Sequence, residues 1–225
     1  MISSSPLAKA CSDLPSRTLF YPSAGRDIEL PVTTFLPYVD HFWFVDSSYR
    51  LTAPLLKEFE EYRLRKSRFE VREGLTLRHE QPFQVRISHE TYSIPDSERL
   101  FSVHACKGLG YDTFRVAIKN VGKKLSVFFY RGDSPGDGGS GFKWLRRPTI
   151  RHLFEQLDPT AIVVSDGSNA EGPFAEFHRN TEVKDAAANL AKPFRFADRD
   201  LKCVDYLGER YGPTLVWQAK EAAVS

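Results

Sequence analysis

The chain is poor in sulfur: its 225 residues include one methionine and three cysteines, which are Cys11, Cys106 and Cys203. No two of these cysteines form a Cys-x-x-Cys pair, which argues against a zinc site, and scattered thiols are typical of a reducing compartment. No apolar run approaches the roughly 20 residues of a membrane span, and residues 1–15 lack the apolar core of a signal peptide. We therefore expect a cytoplasmic protein with no membrane contact.

Neither sign of charge dominates. The chain has 31 Lys and Arg against 29 Asp and Glu, a formal net charge of +2, so charge does not indicate a nucleic-acid partner. A chain of this length can bury roughly 70% of its unfolded surface without disulfide or metal staples. We expect a flexible tail over residues 1–16 and one domain over 17–225, and the oligomeric state is not readable.

Several catalytic signatures are also missing. The six histidines form no His-x-His or His-Glu-x-x-His pair, and Ser134 lacks the Gly-x-Ser-x-Gly elbow of a triad hydrolase. The string 136–143 is not a phosphate-binding P-loop, because Lys143 does not directly follow its last glycine. We expect no metal cofactor.

Short apolar segments alternate with helical patterns along the chain. Apolar runs predict strands over 18–22, 42–45, 100–106, 125–130 and 161–165, and amphipathic spacing predicts helices over 52–66, 113–120 and 149–157, with partial helix over 173–191. Period-two patterns predict an antiparallel hairpin over 70–92 and closing strands over 194–206 and 214–219. Together these elements predict an α/β, Rossmann-like fold: a mostly parallel central sheet with helices on both faces, an antiparallel edge hairpin insertion (70–92) and a C-terminal antiparallel hairpin.

Five of the predicted strands end in glycine, acid or small polar residues, at 22–25, 46–47, 107–110, 131–133 and 166–169. The carboxyl ends of parallel strands form the ligand crevice of such sheets, so we expect a small-molecule site on this rim. The alternative is that glycine and aspartate simply make turns and helix caps there.

The first two strand ends outline a cofactor site. Ser23 and Gly25 lie in a tight turn where a ligand can approach the backbone, and Asp27 is placed to cap a short helix. Asp46, about twenty residues later, is placed for a ribose diol, although it could equally be the amino-terminal cap of a helix.

Five glycines occur in the eleven residues 131–141, a costly composition for a mere spacer. Backbone N–H groups of this loop could cradle an anion, with Arg131 or Lys143 supplying charge. Asp133, Asp137 and Asp166 could hold a divalent cation or act as a general base. We assign catalysis to Asp133 and Arg131. The expected substrate contacts are Ser134, Gly138, Gly139, Ser140, Asp166 and Asn169.

This order of elements resembles the class I S-adenosylmethionine-dependent methyltransferases, over most of residues 17–220. The resemblance implies that Gly25 lies near the methionine part of S-adenosylmethionine, that Asp46 holds the ribose, and that Gly108 and Gly110 lie near the adenine. Where that family usually has acid-x-Gly-x-Gly, this chain has Tyr-Pro-Ser-Ala-Gly at 21–25. The strings 21–27 and 131–141 also look similar to an uncharacterised bacterial family, which implies no activity.

Three functional hypotheses stay open. The first is a small-molecule-binding, divergent S-adenosylmethionine-dependent methyltransferase, in which Asp133 positions or deprotonates the acceptor. The second is a methyltransferase-like binding or regulatory module without catalysis. The third is a metal-assisted phosphoester or nucleotide enzyme that uses the glycine-rich loop for phosphate.

Overall fold

A computed structural model describes residues 5–76, 80–95, 97, 99–119, 122–133, 139–175, 193–209 and 213–222. Two predicted substrate contacts, Ser134 and Gly138, and most of the helical prediction over 173–191 lie outside these ranges. The chain forms two compact units, one of Arg17–Lys124 and one of Met1–Ser16 together with Leu125–Ser225. The single domain over 17–225 stays a prediction.

The fold is mixed α/β with little helix. The described helices are α1 Pro6–Cys11, α2 Glu29–Phe35, α3 Gly110–Thr113, which continues as a π-helical turn over Phe114–Ile118, and α4 Thr149–Glu155. None of them has the length and hydropathy needed to cross a lipid bilayer. The strands are β1 Thr18–Pro22, β2 His41–Val45, β3 Arg63–Leu75, β4 Pro82–Ser93, β5 Leu100–Lys107, β6 Leu125–Tyr130, β7 Leu157–Ser165, β8 Phe194–Phe196, β9 Arg199–Glu209 and β10 Pro213–Glu221.

In the Arg17–Lys124 unit the described strands lie in the order β3-β4-β5-β2-β1. Strands β1, β2 and β5 are parallel, whereas β3, β4 and β5 pair antiparallel. All of β1 and nearly all of β2 is buried, which is the pattern of parallel strands covered on both faces. The predicted strand at 18–22 is confirmed, and the hairpin predicted over 70–92 is present and longer, from Arg63 to Ser93.

In the other unit the described order is β6-β7-β10-β9-β8. Strands β6 and β7 are parallel, and β10, β9 and β8 continue antiparallel, which confirms the predicted C-terminal hairpin. Every residue of β6 is buried, including Phe128 and Phe129. The parallel strands β1, β2 and β6 are therefore almost wholly buried, and polar loops follow their carboxyl ends.

The helix predicted over 52–66 is wrong. Residues 52–62 form turns, and β3 begins at Arg63. Two side chains of β4 accept hydrogen bonds from the backbone of these turns. The Glu90 carboxylate accepts the Leu55 N–H at 2.9 Å, and the Tyr92 hydroxyl oxygen accepts the Leu56 N–H at 3.2 Å. The strand that begins at Arg63 pairs with β4. This pairing outweighs the local helical preference, because helix propensity is weak compared with tertiary contacts.

The amino-terminal segment contains one of the described helices, and the flexible tail expected over residues 1–16 stays a prediction. Pro6–Cys11 forms α1, whose Ser5 side chain caps the Ala8 N–H at 3.1 Å. Leu7 and Cys11 are buried. The apolar positions of this short segment share one helical face, so a segment of mostly small and polar residues still buries apolar side chains.

Arg199 is the largest buried charge in the Leu125–Ser225 part of its unit, being 1% exposed. Its guanidinium donates to the carbonyl oxygens of Asp158 (2.6 Å) and Phe154 (2.8 Å). The Phe154 carbonyl belongs to the last turn of α4, where helix carbonyls lack intrahelical partners. Arg199 therefore ties the end of α4 to β9.

We expect Arg199→Met to lower the free energy of unfolding by about 3 kcal/mol, because it leaves several buried carbonyl groups without a donor. Urea denaturation followed by circular dichroism measures this change. The control is Arg195→Met, which removes a fully exposed partner of Asp200 and should barely move the midpoint. Equal midpoints for the two variants would contradict the structural role of Arg199.

Candidate functional site

The predicted cofactor turn lies at the carboxyl end of β1, where Gly25 takes a left-handed φ of 54°. The Gly25 N–H donates to Oδ2 of Asp46 at 3.0 Å. This hydrogen bond joins the loop after β1 to the loop after the neighbouring strand β2. The other oxygen of Asp46, Oδ1, accepts the N–H of Ser48 at 2.8 Å and its hydroxyl at 2.5 Å. The carboxylate of Asp46 thus holds two loops together.

Asp46 is half-buried, and it bridges two loops rather than capping a helix, because residues 47–62 contain no helix. Its contact with a ribose stays a prediction. Asp27 does not cap α2, whose capping position is Ile28. Instead Asp27 accepts the Tyr21 hydroxyl at 2.8 Å. Ser23 precedes the turn in a left-handed conformation with φ of 56°. Tyr49, three residues after Asp46, donates its hydroxyl hydrogen to the Gly25 carbonyl oxygen at 2.8 Å.

The third predicted strand end joins β5 directly to α3. A Cβ on Gly108 would lie 2.9 Å from the Thr113 hydroxyl, so a larger residue would force that side chain to move. Gly110 is the first residue of α3. Gly108 therefore has a packing role, and the contact of either glycine with a cofactor stays a prediction.

A cavity of about 240 Å³ adjoins the loop after Asp46. It is lined mainly by Tyr49 and the consecutive residues 50–55, with Ala105 of β5. Typical small-ligand pockets measure about 300–1,000 Å³. The described cavity is thus large enough for part of a nucleoside and too small for a whole cofactor.

The other unit repeats the same device at the ends of β6 and β7. Gly132, with φ of 70°, donates its N–H to Oδ2 of Asp166 at 2.8 Å. Oδ1 of Asp166 accepts the Ser168 N–H, also at 2.8 Å. Asp166 is 1% exposed, so this version is more deeply buried than the one at Asp46. In each unit an Asp-x-Ser sequence follows one parallel strand. Its aspartate accepts the N–H of a left-handed glycine that follows the neighbouring parallel strand.

Asp133 organises the glycine-rich loop from inside. It is 0% exposed, and its carboxylate accepts the Ser140 N–H, the Ser140 hydroxyl at 2.6 Å and the Tyr130 hydroxyl at 3.2 Å. Its main-chain carbonyl accepts from the Asn169 side chain, which reaches it from the end of β7. A Cβ on Gly139 would collide with the Asp133 backbone. The structure thus brings together Asp133, Gly139, Ser140 and Asn169, and their role in a substrate site stays a prediction.

The predicted catalytic pair is buried. Arg131 is 7% exposed, donates to the Thr214 hydroxyl at 3.4 Å and lies over the Phe129 ring at 5.8 Å. Burial and the nearby charge of Asp133 raise the pKa of the Tyr130 hydroxyl above its ordinary value, which keeps Tyr130 protonated. In the described structure these groups position the loop, and their contact with a substrate stays a prediction.

Within the described ranges, no three His, Cys, Asp or Glu side chains form a group that could hold a metal ion. Asp133 and Asp166, two of the three predicted cation ligands, are engaged by hydrogen bonds within their loops, and the third, Asp137, lies outside those ranges.

A histidine cluster is the feature that sequence reasoning missed. His89 of β4 and His104 of β5 are register partners, and their Nδ1 atoms lie 2.8 Å apart. Nε2 of His89 bonds Glu70 of β3 at 2.8 Å, and the Trp43 ring stacks on His104 with centroids 4.1 Å apart. His41 stacks on the same histidine at 5.9 Å. No sequence spacing signals this cluster, because strand register alone creates it.

Burial lowers the pKa of all three histidines below the ordinary value of 6.5. The charge of Lys123 adds to the effect at His41, and those of His89 and His41 add to it at His104, whose pKa falls furthest. Glu70 partly opposes the shift at His89. The cluster is therefore neutral at neutral pH.

Comparisons with known proteins add little. No protein-family model matches the sequence, and no curated protein matches it either. Among solved structures, the chain is similar to a "putative methyltransferase" from Streptococcus mutans crystallised with S-adenosylhomocysteine, at 11% identity over 99% of this chain and 100% of that chain. The TM-score is 0.38, a likeness too weak to carry fold or activity over.

We expect Asp166→Ala to destabilise the protein by about 2–3 kcal/mol, because it leaves the buried Gly132 and Ser168 N–H groups without an acceptor. Asp166→Asn, which keeps one carbonyl oxygen, should lose less. Urea denaturation measures both, with Asp13→Ala at an exposed position as the control. A loss no larger than that of the control would show that the carboxylate does not hold the loop.

Stability should fall as pH falls below 6.5. A histidine whose folded pKa is lowered binds fewer protons folded than unfolded, so the free energy of unfolding rises with pH between the folded pKa and 6.5 and is level above it. Each such histidine contributes up to about 1.4 kcal/mol per pH unit. Urea midpoints between pH 4.5 and 8 measure the slope. His104→Gln should flatten it, whereas His152→Gln, whose side chain is 55% exposed, should not.

Proposed function

We propose that this chain is a Rossmann-like, small-molecule-binding protein and a divergent S-adenosylmethionine-dependent methyltransferase. The observation that carries the proposal is the Gly25–Asp46 hydrogen bond, which places a left-handed glycine turn and a carboxylate together at the carboxyl ends of β1 and β2. Dinucleotide- and nucleoside-binding sheets use these two positions for the backbone approach and the ribose. Helices on both faces of the sheet complete the proposed fold.

The residues present fit a ribose contact. Oδ2 of Asp46 accepts the Gly25 N–H, and a carboxylate oxygen has two lone pairs, so the same atom can accept a ribose hydroxyl as well. Asp46 is half-buried, and the cavity lined mainly by residues 49–55 begins three residues further along the same loop. Gly108 and Gly110, at the end of neighbouring β5, would border the base.

The bound cofactor would supply an activated methyl group. The chain's own part would be orientation: Arg131, Asp133, Ser140 and Asn169 set the shape of the glycine-rich loop against which an acceptor would lie. Orientation alone supplies much of the acceleration when the acceptor is already nucleophilic. Asp133 is then a positioning residue, since its oxygens already serve Ser140 and Tyr130.

Burial of the predicted catalytic pair also favours a second function, a methyltransferase-like binding module without catalysis. Asp133 is 0% exposed and Arg131 is 7% exposed, so neither meets solvent as an accessible acid, base or cation. In this case the cofactor-binding edge is kept while transfer is lost.

Isothermal titration calorimetry with S-adenosylhomocysteine tests the common part of both functions. We expect binding by the native protein, and about tenfold weaker binding by Asp46→Ala, because a charge-assisted hydrogen bond to a ribose hydroxyl is lost. The matched control is Asp13→Ala, which removes an exposed carboxylate from the other unit. No binding by folded native protein would overturn the proposal.

Turnover separates the two functions. Incubation with S-adenosylmethionine and a panel of amine, hydroxyl and thiol acceptors should release S-adenosylhomocysteine if methyl transfer occurs. Cofactor binding with no release above the buffer control would favour the binding module.

A further inference from the structure

One face of the sheet in the Arg17–Lys124 unit carries a block of polar side chains where a buried sheet normally carries apolar ones. Lys66 lies opposite Thr91, which lies opposite Ser102, and in the next rung Arg68 lies opposite His89, which lies opposite His104. Directly opposed residues of antiparallel strands point to the same face, and so do residues two apart along a strand. These six side chains therefore form two adjacent rungs across β3, β4 and β5.

The two rungs line a cavity of about 200 Å³. Lys66 and Arg68 stand at its edge as exposed cations, and no ion pair among the described residues involves either of them. Thr91 and Ser102 add two hydroxyl groups. The volume is below the usual range for a whole small-molecule ligand and suits a compact anion.

Of the two carboxylates near the block, Glu70 is paired with a cation, whereas Glu90 has only uncharged hydrogen-bond donors. Glu70 is bonded by Arg72 at 2.5 Å and by His89 at 2.8 Å. Glu90 also borders the cavity, but its carboxylate accepts the Ser88 hydroxyl, the Tyr92 hydroxyl and the Leu55 N–H. The cavity is thus lined by two cations, Lys66 and Arg68, and one carboxylate without a cationic partner, Glu90, so the excess charge at the cavity is positive.

The floor of the block has unmet hydrogen-bonding groups. Glu70 accepts from Nε2 of His89, so Nδ1 of a neutral His89 is an acceptor and Nδ1 of His104 must donate to it. Nε2 of His104 then carries a lone pair, and it is buried with no partner among the described residues, as are Nε1 of Trp43 and Nδ1 of His41. Trp43 and His41 continue the two rungs onto β2, and Trp43 is 4% exposed. Buried polar groups without partners are rare in folded proteins and indicate a missing ligand or water. Nε1 of Trp43 can only donate, whereas Nε2 of His104 can only accept, so an anion would contact His104 through a protonated oxygen such as the O–H of hydrogenphosphate.

We propose that this histidine face binds an oxyanion of the phosphate class, with Arg68 and Lys66 as its charged ligands and the Thr91 and Ser102 hydroxyls as neutral donors. Guanidinium and ammonium groups beside hydroxyls are the donors that proteins use for phosphate oxygens. The anion is either free phosphate or the phosphate group of a small phosphoester. This site does not depend on cofactor binding at Asp46.

The test is calorimetric titration of the full-length protein at pH 7 with inorganic phosphate and, separately, with a nucleoside monophosphate. We expect Arg68→Ala to weaken binding about tenfold or more, since a charge-assisted contact is lost. Lys66→Ala should weaken it less, because ammonium binds a phosphate oxygen singly. The imidazole proton resonances of His89 and His104 should shift on saturation.

The matched control is Arg86→Ala, which removes an exposed arginine on the opposite face of β4 and changes the net charge equally. It should change the affinity less than twofold. Tighter binding of the monophosphate assigns the site to a phosphoester, and equal binding assigns it to the free anion. Absence of phosphate binding by the native protein, or equal losses in Arg68→Ala and Arg86→Ala, would overturn the proposal.

Discussion

A carboxylate that bridges the ends of two neighbouring parallel strands is the interaction on which both units depend. Asp46 holds the Gly25 N–H and Asp166 holds the Gly132 N–H, each from the next strand. Beyond the last strand pair the backbone has no ladder partner, and a buried unpaired N–H is costly. Each aspartate supplies the missing acceptor. Each glycine adopts the left-handed φ of the turn in which its N–H reaches that aspartate. The aspartates at the carboxyl ends of the strands thus stabilise the fold, and any ligand binds to side chains that already have this structural role.

The two polar networks differ in what they can do chemically. Around Asp133 the donors and acceptors are matched within the loop, so this network fixes a shape and offers no accessible acid or base. On the histidine face the matching is incomplete, and exposed cations border a cavity. The first arrangement suits a reaction that needs orientation, and the second suits recognition of an anion.

Much of the fold is predictable because its signals are local. Thr18–Pro22 and Leu125–Tyr130 are continuous apolar runs bounded by turn residues, and each is a buried strand as predicted. The segment at 52–66 fails because its apolar stripe is equally compatible with a helix and with turns held by Glu90 and Tyr92. That choice depends on β4, more than thirty residues later, which no local pattern contains.

The sequence by itself determined the strands, the places where they end and the glycine and aspartate residues just beyond them, since these depend on hydrophobic period and backbone preference. Only the tertiary structure decided what those residues do. Strand pairing aims Asp46 at Gly25 and Asn169 at the Asp133 carbonyl, and strand register sets His89 against His104 across fifteen residues of chain. Register is a property of paired strands, so a cluster that exists only across strands has no signature along one of them.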